Sequence, residues 1–434
     1  MNVQDDLRRP PTGFVLRHPI VWMMLVASIG LGGIMTYAYI AGFTDPLGRL
    51  DGLPVGVLNL DRGADVAGRR IAVGDDTMAA IDADDVRQIE WRTFASRDDL
   101  MEAIDSNEIA GAVVFPADLS ASVGRIGASL GDAPQAEVEV IRNAGSGSLQ
   151  QDVVETATAR LVGAMNQRVG ATLSAAITSA NATVDPSHVG PLAVPVVERA
   201  RDIPDIGDTG GLGLPPLYIG VMATLTGVVG TIAIHIGVGL RVGRTRLEVD
   251  GRELSVEVVK VAPFRRFWNE LLLVALLALA SAAVIPLVAI GLIGTTADLP
   301  VLTGVLCGLG VLSMGALTLA CVTVLDVVGE VVVILLTTIY GVPSSRGVYP
   351  EQALPPFFVW LGEFLPLRYF SDGLRSALYF DGRASAGALR GFVALTIWLA
   401  ASIVVGAATS YAMRRHAQHA VDAPEPAMAE PLAE

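Results

Sequence analysis

The sequence predicts an α-helical polytopic membrane protein with six spans, arranged as one plus five, and an extracytoplasmic α/β domain inserted after the first span. Hydrophobic residues make up 52% of the chain and mean hydropathy is +0.53, which is unlike an ordinary soluble domain. Most of the apolar segments are long enough to cross a hydrocarbon core of about 30 Å. They cover residues 19–42, 216–240, 270–294, 300–322, 325–343 and 390–412. A polar region, residues 43–215, separates the first segment from the five-helix bundle expected over residues 216–413.

Charge predicts the orientation of these spans. Basic residues concentrate in the tail 1–18, in the loop 241–269 and at Arg414 and Arg415, while residues 43–215 carry 26 Asp and Glu against 13 Arg. With six spans, the three basic regions lie on one side, which the positive-inside rule assigns to the cytoplasm. We therefore predict a multi-pass protein of the plasma (inner) membrane with both termini cytoplasmic. The acidic balance argues against a nucleic-acid partner.

The inserted region reads as alternating strands and helices. Apolar or alternating runs predict strands at residues 53–59, 88–94, 110–115 and 137–141, and helical spacing falls at 97–108. This order indicates a small α/β domain with a mixed sheet. Residues 149–183 predict a long helix, or a pair broken near Gly170, that either covers the sheet or forms a stalk to the membrane. Residues 200–215 predict an extended linker.

Motifs for catalysis or cofactor binding are missing from the sequence. It contains no P-loop, a motif that requires a lysine, and the only lysine in the sequence is Lys260. It also contains no His-Glu-x-x-His motif of zinc proteases, no cluster of cysteines and no Gly-x-Ser-x-Gly motif of serine hydrolases. We therefore expect no enzyme activity, no cofactor and no metal, so any motor must belong to a partner chain. His235 is the one ionisable residue expected well inside the membrane, either as a hydrogen-bonded packing residue or as a functional group. Glu270 is expected near the cytoplasmic boundary, where solvent or the dipole of a helix N-terminus explains it.

The segment 344–389 is broken by prolines and rich in aromatic residues, which predicts an outer interfacial segment. Within it, one helical face carries apolar residues, and another carries Arg368, Asp372 and Arg375, which can pair. One interpretation is an interfacial helix whose charges satisfy one another. The other is an outer lid helix over the exit path of an amphiphile. The end of the chain, 414–434, is rich in Pro, Ala and Glu and predicts a disordered tail.

Several stretches, in this order and topology, resemble the permease subunits of type-2 ABC exporters, in the branch related to the phage-infection-protein family. The first is similar to an elbow helix before the first span, the next two to strands of the external domain, and the others to the region before the last span. They are residues 12–19, 53–63, 111–120, 349–350, 354–355 and 365–375. The resemblance implies a dimer of such chains, each contacting a separate ATP-binding subunit.

The loop 241–269 is where the resemblance places the contact with the ATP-binding subunit. Val256, Val259 and Phe264 are predicted on its apolar face and Lys260 on its polar face, and we treat these four as candidate coupling residues. Anionic lipid headgroups would explain the arginines of this loop equally well without a partner.

The expected function is therefore the membrane-spanning half of an ATP-driven exporter of an amphiphilic or lipid-like substrate, working as a homodimer or heterodimer. The alternative is a non-transporting cell-envelope protein whose outer domain binds a partner or scaffold. A sensor is less favoured because no signalling domain is predicted in the cytoplasm.

Overall fold

The structure, a computed structural model, describes residues 49–66, 69–83, 87–207, 210–242, 247–249, 252–254 and 262–421. The predicted first span at 19–42, its elbow and most of the C-terminal tail lie outside these residues. The described chain forms an α/β sheet domain followed by a helical bundle.

The sheet domain is built on five strands in the order β4-β1-β5-β6-β7. These are β1 (Leu53–Asn59), β4 (Ile89–Thr93), β5 (Gly111–Phe115), β6 (Ala136–Asn143) and β7 (Val196–Ile203), with a small hairpin of β2 (Ala64–Val66) and β3 (Arg69–Ile71) beside them. The strand β1 pairs in parallel with β4 and β5, whereas β6 is antiparallel to β5 and parallel to β7. The predicted mixed sheet is confirmed.

Helices cover both faces of this sheet, because the central strands are apolar on both sides. Their bounds are α1 (Val73–Ala83), α2 (Arg97–Asp105), α3 (Leu119–Ala128), α4 (Ser148–Ser179) and the short α5 (Val189–Ala193). On one face, Leu100 and Ile104 of α2 are buried with Leu58 and Val114. On the other, α1, α3 and α4 cover the residues that alternate with these, including Val57 and Val113.

One sequence prediction about this domain is wrong, and one open alternative is decided. Residues 196–203, which overlap the predicted linker 200–215, form β7; its sequence VVERARDI is mostly polar because it is an edge strand with exposed charges. The helix α4 is continuous through Gly170. Its buried residues, among them Val154 and Val162, lie against the sheet, so its first part is a covering helix.

Four helices of the bundle are long and apolar enough to cross a membrane. They are α6 (Pro215–Val242), α7 (Pro263–Pro286, continued by a π-helical segment Leu287–Leu292), α8 (Pro300–Leu325) and α12 (Ala388–Val421). The helix α8 is largely buried, whereas α7 and α12 expose apolar residues such as Leu279 and Val404, as helices that contact lipid do. The described residues therefore contain four helices that are long and apolar enough to span a membrane, as expected for a membrane protein.

The predicted span at 325–343 contains no helix of spanning length. After a break at Asp326, where φ is +53°, α9 (Val327–Ile334) and a π-helical segment (Leu335–Ile339) form a run that is shorter than a bilayer requires. The chain nevertheless passes along the bundle, because Gly329 packs on Cys321 near the end of α8 and Gly347 packs on Leu217 near the start of α6.

The segment 344–389 forms two further short helices, α10 (Pro356–Gly362) and α11 (Pro366–Tyr379). Rather than lying flat on the bundle, α11 enters it: the ring of Phe370 fills the space beside Gly310, which is about 15 Å along α8 from its start. Its residues Leu367, Phe370, Leu374 and Leu378 are fully buried.

The sheet domain sits on the end of the bundle where α6, α8 and α12 begin. Thr296 donates to the backbone oxygen of Ile206, and the Tyr379 hydroxyl donates to that of Gly210. At the opposite end, α6 finishes beside the start of α7, so these two described ends of the predicted loop 241–269 are remote from the sheet domain. Between them, β8 (Leu247–Val249) and β9 (Arg252–Leu254) form an antiparallel hairpin.

Candidate functional site

A cavity of about 220 Å³, here called the junction cavity, lies between the sheet domain and the bundle. The sheet domain contributes the start of β1, the turn after α2 and Gln150 of α4. The bundle contributes Arg346, Glu351, Asp372 and Arg375. The structure thus brings two of the three predicted lid residues to a boundary between the two halves of the chain.

Local sequence explains how these side chains reach the cavity. Prolines at the first positions of α10 and α11 start new helices and prevent one continuous helix. The helix α11 is amphipathic, so its apolar face is buried in the bundle while Arg368, Asp372 and Arg375 lie on the opposite side. Arg346 follows a 3-10 turn and adopts the left-handed conformation, which redirects the chain.

The predicted pairing within α11 is partly correct. Nη1 of Arg375 lies 3.6 Å from Oδ1 of Asp372. Arg368 instead approaches Glu351, with its Nη2 3.9 Å from Oε2, and Arg346 forms an ion pair with the same carboxylate. Sequence analysis did not identify Arg346 and Glu351 as site residues. The signal available for them was the presence of charged residues near prolines in an otherwise apolar segment.

This charge cluster is incompletely paired. Nε and Nη2 of Arg375, and Nε and Nη1 of Arg368, are buried without a hydrogen-bond acceptor among the described residues. Arg375 as a whole is only 4% exposed. Three guanidinium groups face two carboxylates, and burying an unpaired charge is costly. The interpretation of α11 as a helix whose charges satisfy one another therefore does not hold within the described chain.

Burial also acts on the ionisation of Arg346. Burial, together with the positive charge of Arg368, lowers the pKa of this guanidinium to about 10. A guanidinium with that pKa is still charged at neutral pH. Arg346 therefore contributes positive charge to the cluster.

A charged contact fastens the two halves beside the junction cavity. Arg383, in the loop between α11 and α12, donates from Nη1 to Glu102 and from Nη2 to Asp105 of α2, each at 2.9 Å. Next to it, the hydroxyl groups of Ser106 and Ser385 are 3.1 Å apart. These contacts hold the turn after α2, which forms one wall of the junction cavity, against the bundle.

A second charged cluster lies near the opposite end of the bundle. Glu270 is 1% exposed; its Oε1 accepts from Nε of Arg266 at 2.7 Å, and its Oε2 lies 2.9 Å from Nδ1 of His235. Neither explanation expected for Glu270 holds: its carboxylate is buried and paired, and it lies beyond the first turn of α7, where the helix dipole acts. His235 is hydrogen-bonded in this network, which links α6 to α7.

The candidate coupling residues fall mostly beyond what the structure describes. Val256, Val259 and Lys260 lie outside the described residues. Phe264 is in the first turn of α7 and is half-buried, with its ring centroid 6.1 Å from that of Tyr411 on α12. Its coupling role stays a prediction. Among the described residues, no group of three His, Cys, Asp or Glu could hold a metal ion.

Comparison of the chain with protein-family models, with curated proteins and with solved structures found no match.

Proposed function

We propose that this chain is the membrane-spanning permease subunit of an ATP-driven exporter of an amphiphilic or lipid-like substrate, energised by a separate ATP-binding subunit. The observation that carries the proposal is the discontinuous run α9 to α11 beside four continuous apolar helices. Broken backbone at membrane depth is tolerated where it is buried in protein or lines a cavity, and transporters build binding sites from such helices. A protein that is only anchored in the membrane does not need such broken helices.

The orientation follows from the charge at the two ends of the bundle. Among the described residues, the end remote from the sheet domain carries Arg265, Arg266, Arg414 and Arg415, and the sequence between α6 and α7 contains further basic residues. Under the positive-inside rule this end faces the cytoplasm, and the acidic sheet domain is extracytoplasmic in the plasma membrane. Substrate would then leave at the end that holds the junction cavity.

The ATP-binding partner would dock at the cytoplasmic end. The start of α7 is suited to transmit movement, because Phe264 contacts α12 and the buried network of Arg266, Glu270 and His235 ties α7 to α6. A displacement of the 241–269 loop would therefore act on three helices together. A second permease chain, identical or related, would complete the transporter.

One observation favours the alternative, a cell-envelope protein whose sheet domain binds a partner. A polar pocket of about 480 Å³ opens on the sheet domain, lined in part by Asp118, Glu137, Glu139, Arg199 and Arg201. A polar, charged groove of this kind suits a protein or peptide. It does not account for the broken helices inside the bundle, so we place it second.

The coupling proposal is tested by comparing two double variants of the 241–269 loop. If the loop docks an ATPase, changing Val256→Asp with Val259→Asp should abolish co-purification of the ATP-binding chain, because interfaces depend on buried apolar anchors. The matched pair Arg244→Gln with Arg246→Gln should have little effect. If the arginine pair matters more, the loop binds lipid headgroups and the docking proposal is wrong.

A further inference from the structure

We propose that the exposed edge of β7 binds an extended segment of another protein as a sixth strand of the sheet, and that the side chains of this segment alternate between basic and acidic. The occupant is a segment of a different protein rather than a second copy of this chain. The inference concerns the sheet domain alone and does not rest on transport or on an ATP-binding partner.

The first argument is the backbone of β7, which is an edge strand of the five-stranded sheet. Just before it, the carbonyl oxygen of Pro195 points toward β6 and accepts from the N–H of Ala136. Val196 points the other way: its N–H and its carbonyl oxygen each form a 2.8 Å hydrogen bond with the side-chain amide of Asn166 on α4. That amide therefore takes the place that a residue of a neighbouring strand would occupy.

Beyond Val196 the same edge is open. Because backbone groups alternate in direction along a strand, the N–H and C=O groups of Glu198, Ala200 and Asp202 also point away from β6. None of these groups has a hydrogen-bond partner among the described residues, and residues 198–202 are all exposed. Three donors and three acceptors are thus presented over five residues, which is what an added strand pairs with.

The second argument is charge, beginning with the face of the sheet that α4 covers. On this face Glu198 forms no ion pair among the described residues, and burial together with the charge of Glu155 raises its pKa. Four carboxylates and two guanidinium groups lie along this side of the edge, namely Asp152, Glu155, Glu198, Asp202, Arg142 and the exposed Arg160. Basic side chains of an added strand are therefore favoured on this face.

The opposite face has the opposite preference. There, Arg199 and Arg201 border the edge and line the polar pocket of about 480 Å³. The three carboxylates that line this pocket are each paired with an arginine: Asp118 with Arg125, Glu137 with Arg199 and Glu139 with Arg97. Arg201 forms no hydrogen bond or ion pair among the described residues and acts on Glu139 only through longer-range attraction. An acidic side chain of an added strand would enter the pocket beside Arg201.

The third argument disfavours a second copy of this chain as the occupant. Antiparallel pairing of two β7 strands about Ala200 would place Glu198 opposite Asp202 and Arg199 opposite Arg201. Registers displaced by two residues would place Arg199 or Arg201 opposite itself. Like charges directly opposite each other destabilise a sheet. The sequence of this edge therefore opposes self-association and matches a strand with the pattern basic, acidic, neutral, acidic, basic.

The test uses the full chain in maltoside detergent and two fluorescently labelled peptides of identical composition. Thr-Lys-Glu-Val-Glu-Lys-Thr has the matching pattern, and Thr-Glu-Lys-Val-Lys-Glu-Thr has the inverted pattern. Fluorescence polarisation should show that the chain binds the matching peptide at least about tenfold more tightly, because four cross-strand charge pairs are attractive instead of repulsive.

Two variants separate the contribution of charge from that of the backbone. Arg201→Glu should weaken binding of the matching peptide at least about fivefold, whereas Arg92→Glu on β4, the other edge strand, should leave it unchanged. Ala200→Pro removes the central outward N–H without removing a hydrogen bond to β6, and it should abolish binding.

A methylated peptide keeps the test decisive if a variant fails to fold. Methylating the backbone nitrogen of the central valine, which lies opposite Ala200, should weaken binding to the wild type at least about tenfold, because the peptide loses the same kind of donor. The inference is overturned if the wild type binds neither peptide, binds the matching and inverted peptides alike, or tolerates the methylated valine. Self-association of the wild type that Ala200→Pro abolishes would also overturn it, in favour of a second copy.

Discussion

Ser120 and Asp61 join two stretches of the sheet domain that are distant in sequence, residues 53–63 and 111–120. The Ser120 hydroxyl donates to Oδ2 of Asp61 at 2.5 Å, and the Ser120 backbone N–H donates to Oδ1 at 3.1 Å. Asp61 follows β1 and Ser120 lies in the first turn of α3, which follows β5. The same carboxylate accepts from the backbone N–H of Gly74 at 3.0 Å. One partly buried hydrogen-bond network therefore fastens the carboxyl ends of two adjacent parallel strands.

Removing the Ser120 hydroxyl should destabilise the sheet domain. Residues 49–207 contain the apolar clusters on both faces of the sheet, so we expect them to fold when expressed alone. In that domain, Ser120→Ala should lower the free energy of unfolding by about 1–3 kcal/mol, because a buried hydrogen-bonded group loses its partner. Urea unfolding followed by circular dichroism measures the difference.

The exposed Ser174 on α4 provides the matched control for this experiment. Ser174→Ala should leave the unfolding free energy within about 0.5 kcal/mol of the wild type. Equal effects of the two substitutions would contradict a structural role for the Asp61–Ser120 pair.

Acid should weaken the contact between α2 and β6. Both terminal nitrogens of Arg97 donate to Glu139 at 2.7 Å, and this hydrogen bonding holds the pKa of Glu139 below its ordinary value of 4.5. A lowered carboxyl pKa stabilises the fold above the unfolded value, and that stability is lost as pH falls through the folded pKa. Arg97→Gln should therefore be less stable than wild type near neutral pH, with the difference shrinking below about pH 4.5.

The measurement is urea unfolding of residues 49–207 at several pH values, with Arg160→Gln as the control. Because the Arg97–Glu139 pair is partly solvated, we expect a modest change. A difference between Arg97→Gln and wild type that stays constant, or grows, on acidification would show that this ion pair is not the source.

The close approach of α11 to α8 should be sensitive to a single methyl group. A Cβ at Gly310 would overlap the ring of Phe370, whereas a Cβ at Gly237 would meet nothing within 4 Å. Gly310→Ala should therefore destabilise the full chain in detergent by about 1–3 kcal/mol, the usual effect of overpacking. Gly237→Ala should be neutral or stabilising, because alanine favours helix over glycine. If both variants melt alike, α11 does not occupy the position described.

The local sequence pattern correctly predicted those helices and strands whose residues specify them without reference to the rest of the fold. β1, β5 and the four long apolar helices have runs of hydrophobic residues that specify them before any partner is known. β7 was missed because its edge position replaces the apolar signal with charges. The helix α11 was predicted, with its two faces, but its entry into the bundle depends on Gly310 and Gly220, whose small size matters only once the helices meet.

Of all the structural features, the contacts between charged residues were the hardest to predict from the sequence. Glu351 lies distant along the chain from Arg368, and His235 is 35 residues from Glu270, so neither pair follows a local period. Helical spacing signals only the pairs within one helix, Arg266 with Glu270 on α7 and Asp372 with Arg375 on α11.

The proposed orientation predicts one-sided chemical labelling. Single cysteines at Ser174→Cys in the sheet domain and at Arg415→Cys near the end of α12 are both exposed positions. In a background with Cys307→Ala and Cys321→Ala, an impermeant maleimide should label only the first in intact cells and both after permeabilisation. Labelling of Arg415→Cys in intact cells, with Ser174→Cys protected, would invert the orientation.

ATP hydrolysis by the chain purified from its native membranes tests the proposed function most directly. The sequence contains no P-loop, so the proposal assigns this activity to a partner. We expect a C-terminally tagged chain, extracted in mild detergent, to elute with a second protein that carries a P-loop, and the eluate to hydrolyse ATP. The Val256→Asp and Val259→Asp variant should elute without either. A wild-type chain that elutes alone, with ATP hydrolysis no higher than in a mock purification, would contradict the exporter account and favour the cell-envelope alternative.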